Sequence, residues 1–144
     1  MIIGIDHVGI AVRDGEAAAA GFARLTGWDA GELETVAAQH VRVCFLPDRP
    51  APTGARLELL QPETEGSAVG RFLERRGEGV HHVCFAVQDI GAELARLAGA
   101  GFELIDAVPR RGHGGLVAFV HPRAANGVLI ELLQRDPPDR ALEA

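Results

Sequence analysis

The sequence predicts an α+β fold built from two tandem modules, each running strand, helix, strand, strand, strand. Three observations carry this. Ile5-Asp6-His7-Val8-Gly9-Ile10-Ala11-Val12 and Gly79-Val80-His81-His82-Val83-Cys84-Phe85-Ala86-Val87 share the strict alternation of half-buried strands. Arg56-Leu57-Glu58-Leu59-Leu60-Gln61 returns as Leu129-Ile130-Glu131-Leu132-Leu133-Gln134. Leu25-Thr26-Gly27-Trp28-Asp29 is echoed by Gly99-Ala100-Gly101-Phe102-Glu103. All three pairs recur at a spacing of about 74 residues, and an internal repeat outranks local propensity as evidence for architecture.

The elements follow in order. Ile2 to Val12 is the first strand, with Val8, Ile10 and Val12 expected on its core side and His7, Gly9 and Ala11 on the other. Glu16 to Leu25 is a helix, capped by Asp14 and ended by Gly27, with Ala18, Phe22 and Leu25 on one face. Trp28 to Val36, Val41 to Leu46 and Arg56 to Leu60 complete the first module, the last two separated by the Pro- and Gly-rich loop 47–54. Ser67 to Arg75 forms a connecting helix. The second module then repeats the order: strand 80–87 with Val83, Phe85 and Val87 toward the core, helix 90–98, strand 102–105, a Gly-rich turn at 110–115, and strands 116–121 and 128–133. The expected organisation is one domain over 1–135, with modules at about 2–62 and 79–134 joined by a helix at about 66–76, and a loose tail at 136–144.

Composition excludes several classes of function. A hydrophobic content of 47% supports a real core, and a net charge of −6 argues against a nucleic-acid partner, which would need a basic stripe. There is no apolar run long enough to cross a bilayer, so no membrane partner is expected. The first residues enter a strand without a basic segment and apolar run, so no secretory signal is expected, and two strand-borne cysteines, Cys44 and Cys84, read as buried thiols in a reducing cytoplasm. All fourteen basic residues are Arg, which removes the usual Schiff-base nucleophile. Ser67 is the only serine and heads a helix, so a Ser-His-Asp triad is not expected.

Parity directs attention to four residues. His7 and His82 lie on the small-residue faces of their strands. Glu58 and Glu131 interrupt Leu-rich strands whose opposite faces (Leu57, Leu59, Gln61; Val128, Ile130, Leu132) are mostly apolar, where unpaired charge is costly. Each module therefore supplies one imidazole and one carboxylate from matched places. That donor set suits a divalent cation with open positions, Zn, Co, Ni, Mn or Fe, better than a closed structural zinc site. His81 competes with His82, and register favours His82, which precedes Val83 as His7 precedes Val8. His113 with Gly112, Gly114 and Gly115 reads either as a substrate mouth or as a flexible turn.

The paired His/Glu modules resemble the vicinal oxygen chelate superfamily, which includes glyoxalase I, extradiol dioxygenases and bleomycin-resistance proteins. Within it they resemble the methylmalonyl-CoA epimerases. The residues that carry the likeness are Ile5 to Val12, Leu57-Glu58-Leu59-Leu60-Gln61-Pro62, Gly79 to Phe85, and His121-Pro122 running to Gly127-Val128-Leu129-Ile130-Glu131-Leu132, within about residues 3 to 134. The resemblance implies βαβββ modules whose mixed sheet curves around a metal cup. It also implies His7, Glu58, His82 and Glu131 as ligands of a Co, Mn, Zn or Ni ion, Glu131 and Glu58 as acid/base groups, an acyl-CoA substrate, and a homodimer. Gln39, His40, Gly112, His113 and Gly114 are the expected substrate contacts.

One departure stands out. Some relatives carry a glutamate on the third strand as a second base, and the comparable position here is Val43, within Gln39-His40-Val41-Arg42-Val43. Glu58, a bound water or His40 could take that role. Rival expectations are a glyoxalase I-like lyase, an extradiol dioxygenase with one carboxylate fewer, or a metal-free drug-binding protein.

Overall fold

The computed structural model describes residues 1–49 and 54–137. The expected loop 47–54 is described only in part, and residues 138–144 of the expected loose tail lie outside the described residues. The elements run β1 (Ile2–Ala11), α1 (Gly15–Thr26), β2 (Glu34–Val36), β3 (Val41–Leu46), β4 (Arg56–Pro62), α2 (Ala68–Arg76), β5 (Gly79–Val87), α3 (Ile90–Gly99), β6 (Arg110–Gly112), β7 (Gly115–Val120) and β8 (Ile130–Arg135). The βαβββ order thus occurs twice, as the repeat requires. Two compact units form: Ile5–Cys84, and Met1–Gly4 with the chain from Phe85 onward.

In the Ile5–Cys84 unit the strands lie in the order β2-β3-β4-β1-β5. β1 runs parallel to β4, with Gly9 opposite Glu58 and Ala11 opposite Leu60, whereas β3 is antiparallel to both β2 and β4. Helix α1 starts where the side chain of Asp14 accepts from Ala17 N, and ends at Gly27, whose φ of 75° closes the αL cap. It packs Ala18, Ala19, Phe22 and Ala23 on Ile10, Val12, Cys44, Leu46, Leu57 and Leu59. Leu59 is fully buried there, a contribution of about 1.5–3 kcal/mol. On the opposite sheet face, Val69 and Leu73 of α2 close over Ala11, Val41, Val43 and Leu60.

The second unit pairs β8 with β7 and β7 with β6, all antiparallel. Ile90, Leu94 and Leu97 of α3 pack on Val87, Ala118, Val120 and Leu132. The repeat extends to a latch at each helix start. Gly15 N donates to Gln61 Oε1 at 2.7 Å, and Ile90 N donates to Gln134 Oε1 at 2.9 Å. Each glutamine comes from the closing strand of its own series and satisfies an orphan donor in the first helical turn.

Several expectations need correction. Both faces of β1 and β5 are covered: Ile10 and Val12, and Phe85 and Val87, pack in the expected core, Val8 and Val83 are half-exposed, and the small-residue faces with His7, Gly9 and Ala11, and His82 and Cys84, are buried too. Small size on those faces reflects close packing, not open space. Leu25 follows the helical period yet is exposed. Residues 28–33 are not strand, because their ties are isolated backbone bonds, Gly31 N to Phe45 O and Asp48 N to Asp29 O. Residues 102–105 reduce to a single bridge, Leu104 to Val120. The expected turn at 110–115 is instead a hairpin, with Arg110 opposite Val117 and Gly112 opposite Gly115. The last strand starts later than expected, at Ile130, after Asn126 at φ 55° caps the preceding 3-10 turn and Gly127 follows at φ 89°. Asp136, at the start of the tail, accepts from Arg111 at 2.7 Å.

Candidate metal centre

Three of the four expected ligands converge within the Ile5–Cys84 unit. β1 carries His7, β4 carries Glu58 and β5 carries His82, all buried. Cross-strand register explains why. Partners in a sheet share a face, and Gly9 opposite Glu58 puts Glu58 on the side of His7 and Ala11, away from α1. Gly9 in turn leaves room for the His82 ring, since a Cβ there would stand 2.8 Å from His82 Nε2 and overlap the rest of the imidazole.

The donor atoms form a small triangle. His7 Nε2 lies 3.2 Å from His82 Nε2, and Glu58 Oε1 lies 3.6 Å from the first and 3.5 Å from the second. Ligands held at about 2.0–2.2 Å from one cation stand roughly 3.0–3.5 Å apart in tetrahedral or octahedral geometry. The triangle therefore has the dimensions of three neighbouring ligand positions around one ion. Two nitrogens and one carboxylate oxygen also suit a first-row divalent metal. The residues present fit such an ion.

Neighbours hold the rings from behind. His7 Nδ1 is 2.7 Å from Asp6 Oδ1, and its ring edge meets Phe45 at a centroid distance of 5.7 Å. His82 Nδ1 is 2.9 Å from His81 Nδ1, and His81 stacks edge-on against Phe72 at 5.0 Å. Asp6, His7 and Cys84 form a second group of potential donors. In it, the Asp6 carboxylate already engages His7 Nδ1. Among the described residues, every buried side-chain nitrogen and oxygen has a hydrogen-bond partner.

A model of the Glyoxalase/Bleomycin resistance protein/Dioxygenase superfamily matches residues 6–119. The chain belongs to this superfamily. An ethylmalonyl-CoA/methylmalonyl-CoA epimerase of Cereibacter sphaeroides is 39% identical over 137 residues, covering 93% of this chain and 99% of that relative. The crystal structure of methylmalonyl-CoA epimerase from Mycobacterium tuberculosis is similar at a TM-score of 0.86 and 34% identity, covering 94% of this chain and 90% of that one. A Streptomyces coelicolor methylmalonyl-CoA epimerase variant in complex with 2-nitronate-propionyl-CoA gives a TM-score of 0.87 at 34% identity, covering 95% and 100%. These likenesses establish the superfamily fold that the repeat implied.

The other expected site residues are placed as follows. Glu131 is buried on β8, opposite Phe119 of β7. Gln39 ends a short 3-10 turn, and exposed His40 follows at φ 53°, its carbonyl accepting from Glu63 N at 2.8 Å. Gly112 and Gly114 flank exposed His113 at the β6–β7 hairpin, where Gly114 takes φ 83°. Val43 is packed with Leu60, Val69 and Leu73 in the hydrophobic core.

Sequence reasoning missed Asp6, and it weighed His81 only as a rival ligand to His82. Parity sends adjacent strand residues to opposite faces, so it gives no sign of contact between Asp6 and His7 or between His81 and His82. The Asp-His and His-His dipeptides were the available signal.

Proposed function

We propose that this chain is a metal-dependent epimerase that interconverts (R)- and (S)-methylmalonyl-CoA through an enolate at C2. The observation that carries the reading is the buried His7–Glu58–His82 triangle, on a chain with a relative, matched along 99% of its length, named ethylmalonyl-CoA/methylmalonyl-CoA epimerase. Glu131 is proposed as the fourth ligand because it is the repeat counterpart of Glu58. The ion is one of Co, Mn, Zn or Ni. When bound, it supplies Lewis-acid stabilisation of the negative charge that develops on the thioester oxygen, worth several kcal/mol.

The remaining work falls to the chain. Inversion at C2 needs one group to remove the proton and another to return one from the opposite side. Glu131 is assigned the first role in one direction and Glu58 the second, with the roles exchanged in reverse. Gln39 and His40, and Gly112, His113 and Gly114, are proposed substrate contacts. We read residues 1–135 as a single domain that works as a cytoplasmic homodimer. No described helix is long and apolar enough to cross a membrane.

The test is solvent deuterium exchange at C2 of methylmalonyl-CoA, followed by NMR. Metal-replete protein is expected to wash deuterium into C2, chelation to stop it, and added divalent metal to restore it. No exchange by metal-replete protein refutes the assignment, and exchange that survives complete metal removal refutes the role of the ion.

A further inference from the structure

The two imidazoles of the triangle are not equivalent, and their neighbours show why. A carboxylate only accepts hydrogen bonds. His7 Nδ1, 2.7 Å from Asp6 Oδ1, therefore carries a proton, which in the uncharged imidazole leaves the lone pair on Nε2. That nitrogen faces His82 Nε2 at 3.2 Å and Glu58 Oε1 at 3.6 Å. His7 is thus set in the tautomer a cation needs. The contact with His82 then requires His82 Nε2 to donate to His7. His82 Nδ1 is left as an acceptor, and it faces His81 Nδ1 at 2.9 Å. In the metal-free protein the donors run head to tail: His81 Nδ1–H to His82 Nδ1, His82 Nε2–H to His7 Nε2, and His7 Nδ1–H to Asp6.

A cation cannot take a protonated Nε2 from His82. The proton of His82 must move to Nδ1, where it would meet the proton already on His81 Nδ1. The contact survives only if His81 moves its own proton to Nε2 and becomes the acceptor. The exchange itself gains and loses no proton. Phe72, edge-on to His81 at 5.0 Å, keeps that ring in place during the exchange.

We propose that Asp6 and His81 are positioning residues of the cation site: Asp6 fixes His7 with Nε2 toward Glu58 and His82, and His81 trades donor and acceptor roles with His82 as the ion enters. This rests on the divalent-cation reading above. Partners of this kind behind metal-bound histidines are worth about 10–100-fold in metal affinity.

Two measurements test it. In metal-free protein labelled with 15N-histidine, long-range proton–nitrogen correlation reports which nitrogen of each ring is protonated. The expected result is Nδ1 for His7 and Nε2 for His82. A proton on His7 Nε2 overturns the role of Asp6, whatever the protein does with metals. Zinc affinity is then measured by competition with a chromophoric chelator, with thermal melts confirming that each variant folds. Asp6→Ala is expected to bind about 10–100-fold more weakly, with Asp6→Asn, which keeps an acceptor oxygen without the charge, in between. His81→Phe is expected to weaken binding, and His81→Gln to recover much of the loss, because its amide oxygen accepts from His82 Nδ1–H. Wild-type affinity in Asp6→Ala, or equal losses in the two His81 variants, overturns the proposal. A wild-type protein that binds no zinc overturns the cation reading itself, which the tautomers of the metal-free protein do not depend on.

Discussion

Gly9→Ala is the smallest change that should dismantle the candidate site without touching a ligand. Gly9 lies in the interior of β1, outside the positive-φ region, so alanine meets no backbone strain. Away from crowding, the exchange would favour the strand by roughly 0.5–1 kcal/mol. Here the new methyl would stand 2.8 Å from His82 Nε2 and overlap the Cε1 and Nδ1 side of the ring. His82 is 97% buried and engaged on both sides, by His7 and by His81, so the ring has little room to yield. Overpacking of one methyl costs about 1–3 kcal/mol. If the ring gives way, the loss falls on metal affinity, and at about 1.4 kcal/mol per tenfold this is roughly 5- to 150-fold in Kd. If the ring holds, the same energy is lost from folding. Zinc competition and urea unfolding, run on the same preparation, separate the two. Gly9→Ala is expected to lose about 1–3 kcal/mol summed over zinc affinity and unfolding stability. Wild-type affinity together with wild-type stability would refute the close packing of β1 against His82.

The remaining predictions concern stability and reactivity. Gln61→Leu removes the acceptor for Gly15 N, and Gln134→Leu does the same for Ile90 N; each should lower unfolding stability by about 1 kcal/mol in urea titrations. The Arg96 guanidinium beside buried Glu93, at 2.9 Å, holds its carboxyl below the usual value of 4.5. A depressed folded pKa stabilises the fold above the unfolded value and is lost as pH falls through the folded one. The stability gap between wild type and Glu93→Gln should therefore be widest near neutral pH and shrink in acid below about pH 4.5. Burial pushes the Cys44 thiol up, with Asp48 adding to the effect, so native protein should react with a thiol reagent at Cys44 only on the timescale of unfolding.

The repeat made much of the fold and the cluster legible. Matching His7 to His82 and Glu58 to Glu131 needed only spacing and parity, because side chains on a strand alternate strictly and a duplicated module must put equivalent residues in equivalent places. What alternation could not show was that both faces would be covered. Ile10 and Val12 pack under α1 as the pattern implies, yet the side with His7, Gly9 and Ala11 is buried as well, because close packing selects small residues as firmly as it selects apolar ones. Residues 28–33 and 102–105 have strand-like composition, but pairing depends on a partner at the right register, and only single bonds or one bridge form there. Arg110 and Arg111 beside Gly112 read as a turn, although pairing with Val117 and Leu116 makes them strand. Asp6 escaped notice, and His81 was weighed only as a ligand, because parity does not bring a strand residue into contact with its chain neighbour.

Cobalt(II) titration of the metal-free protein, followed by visible absorption, probes the three-donor centre most directly. One ion per chain should give the intense bands of a low-coordinate nitrogen and oxygen site, and His82→Ala should abolish them. A spectrum no different from that of the hydrated ion, or bands that persist unchanged in His82→Ala, would contradict the assignment of His7, Glu58 and His82 to one cation.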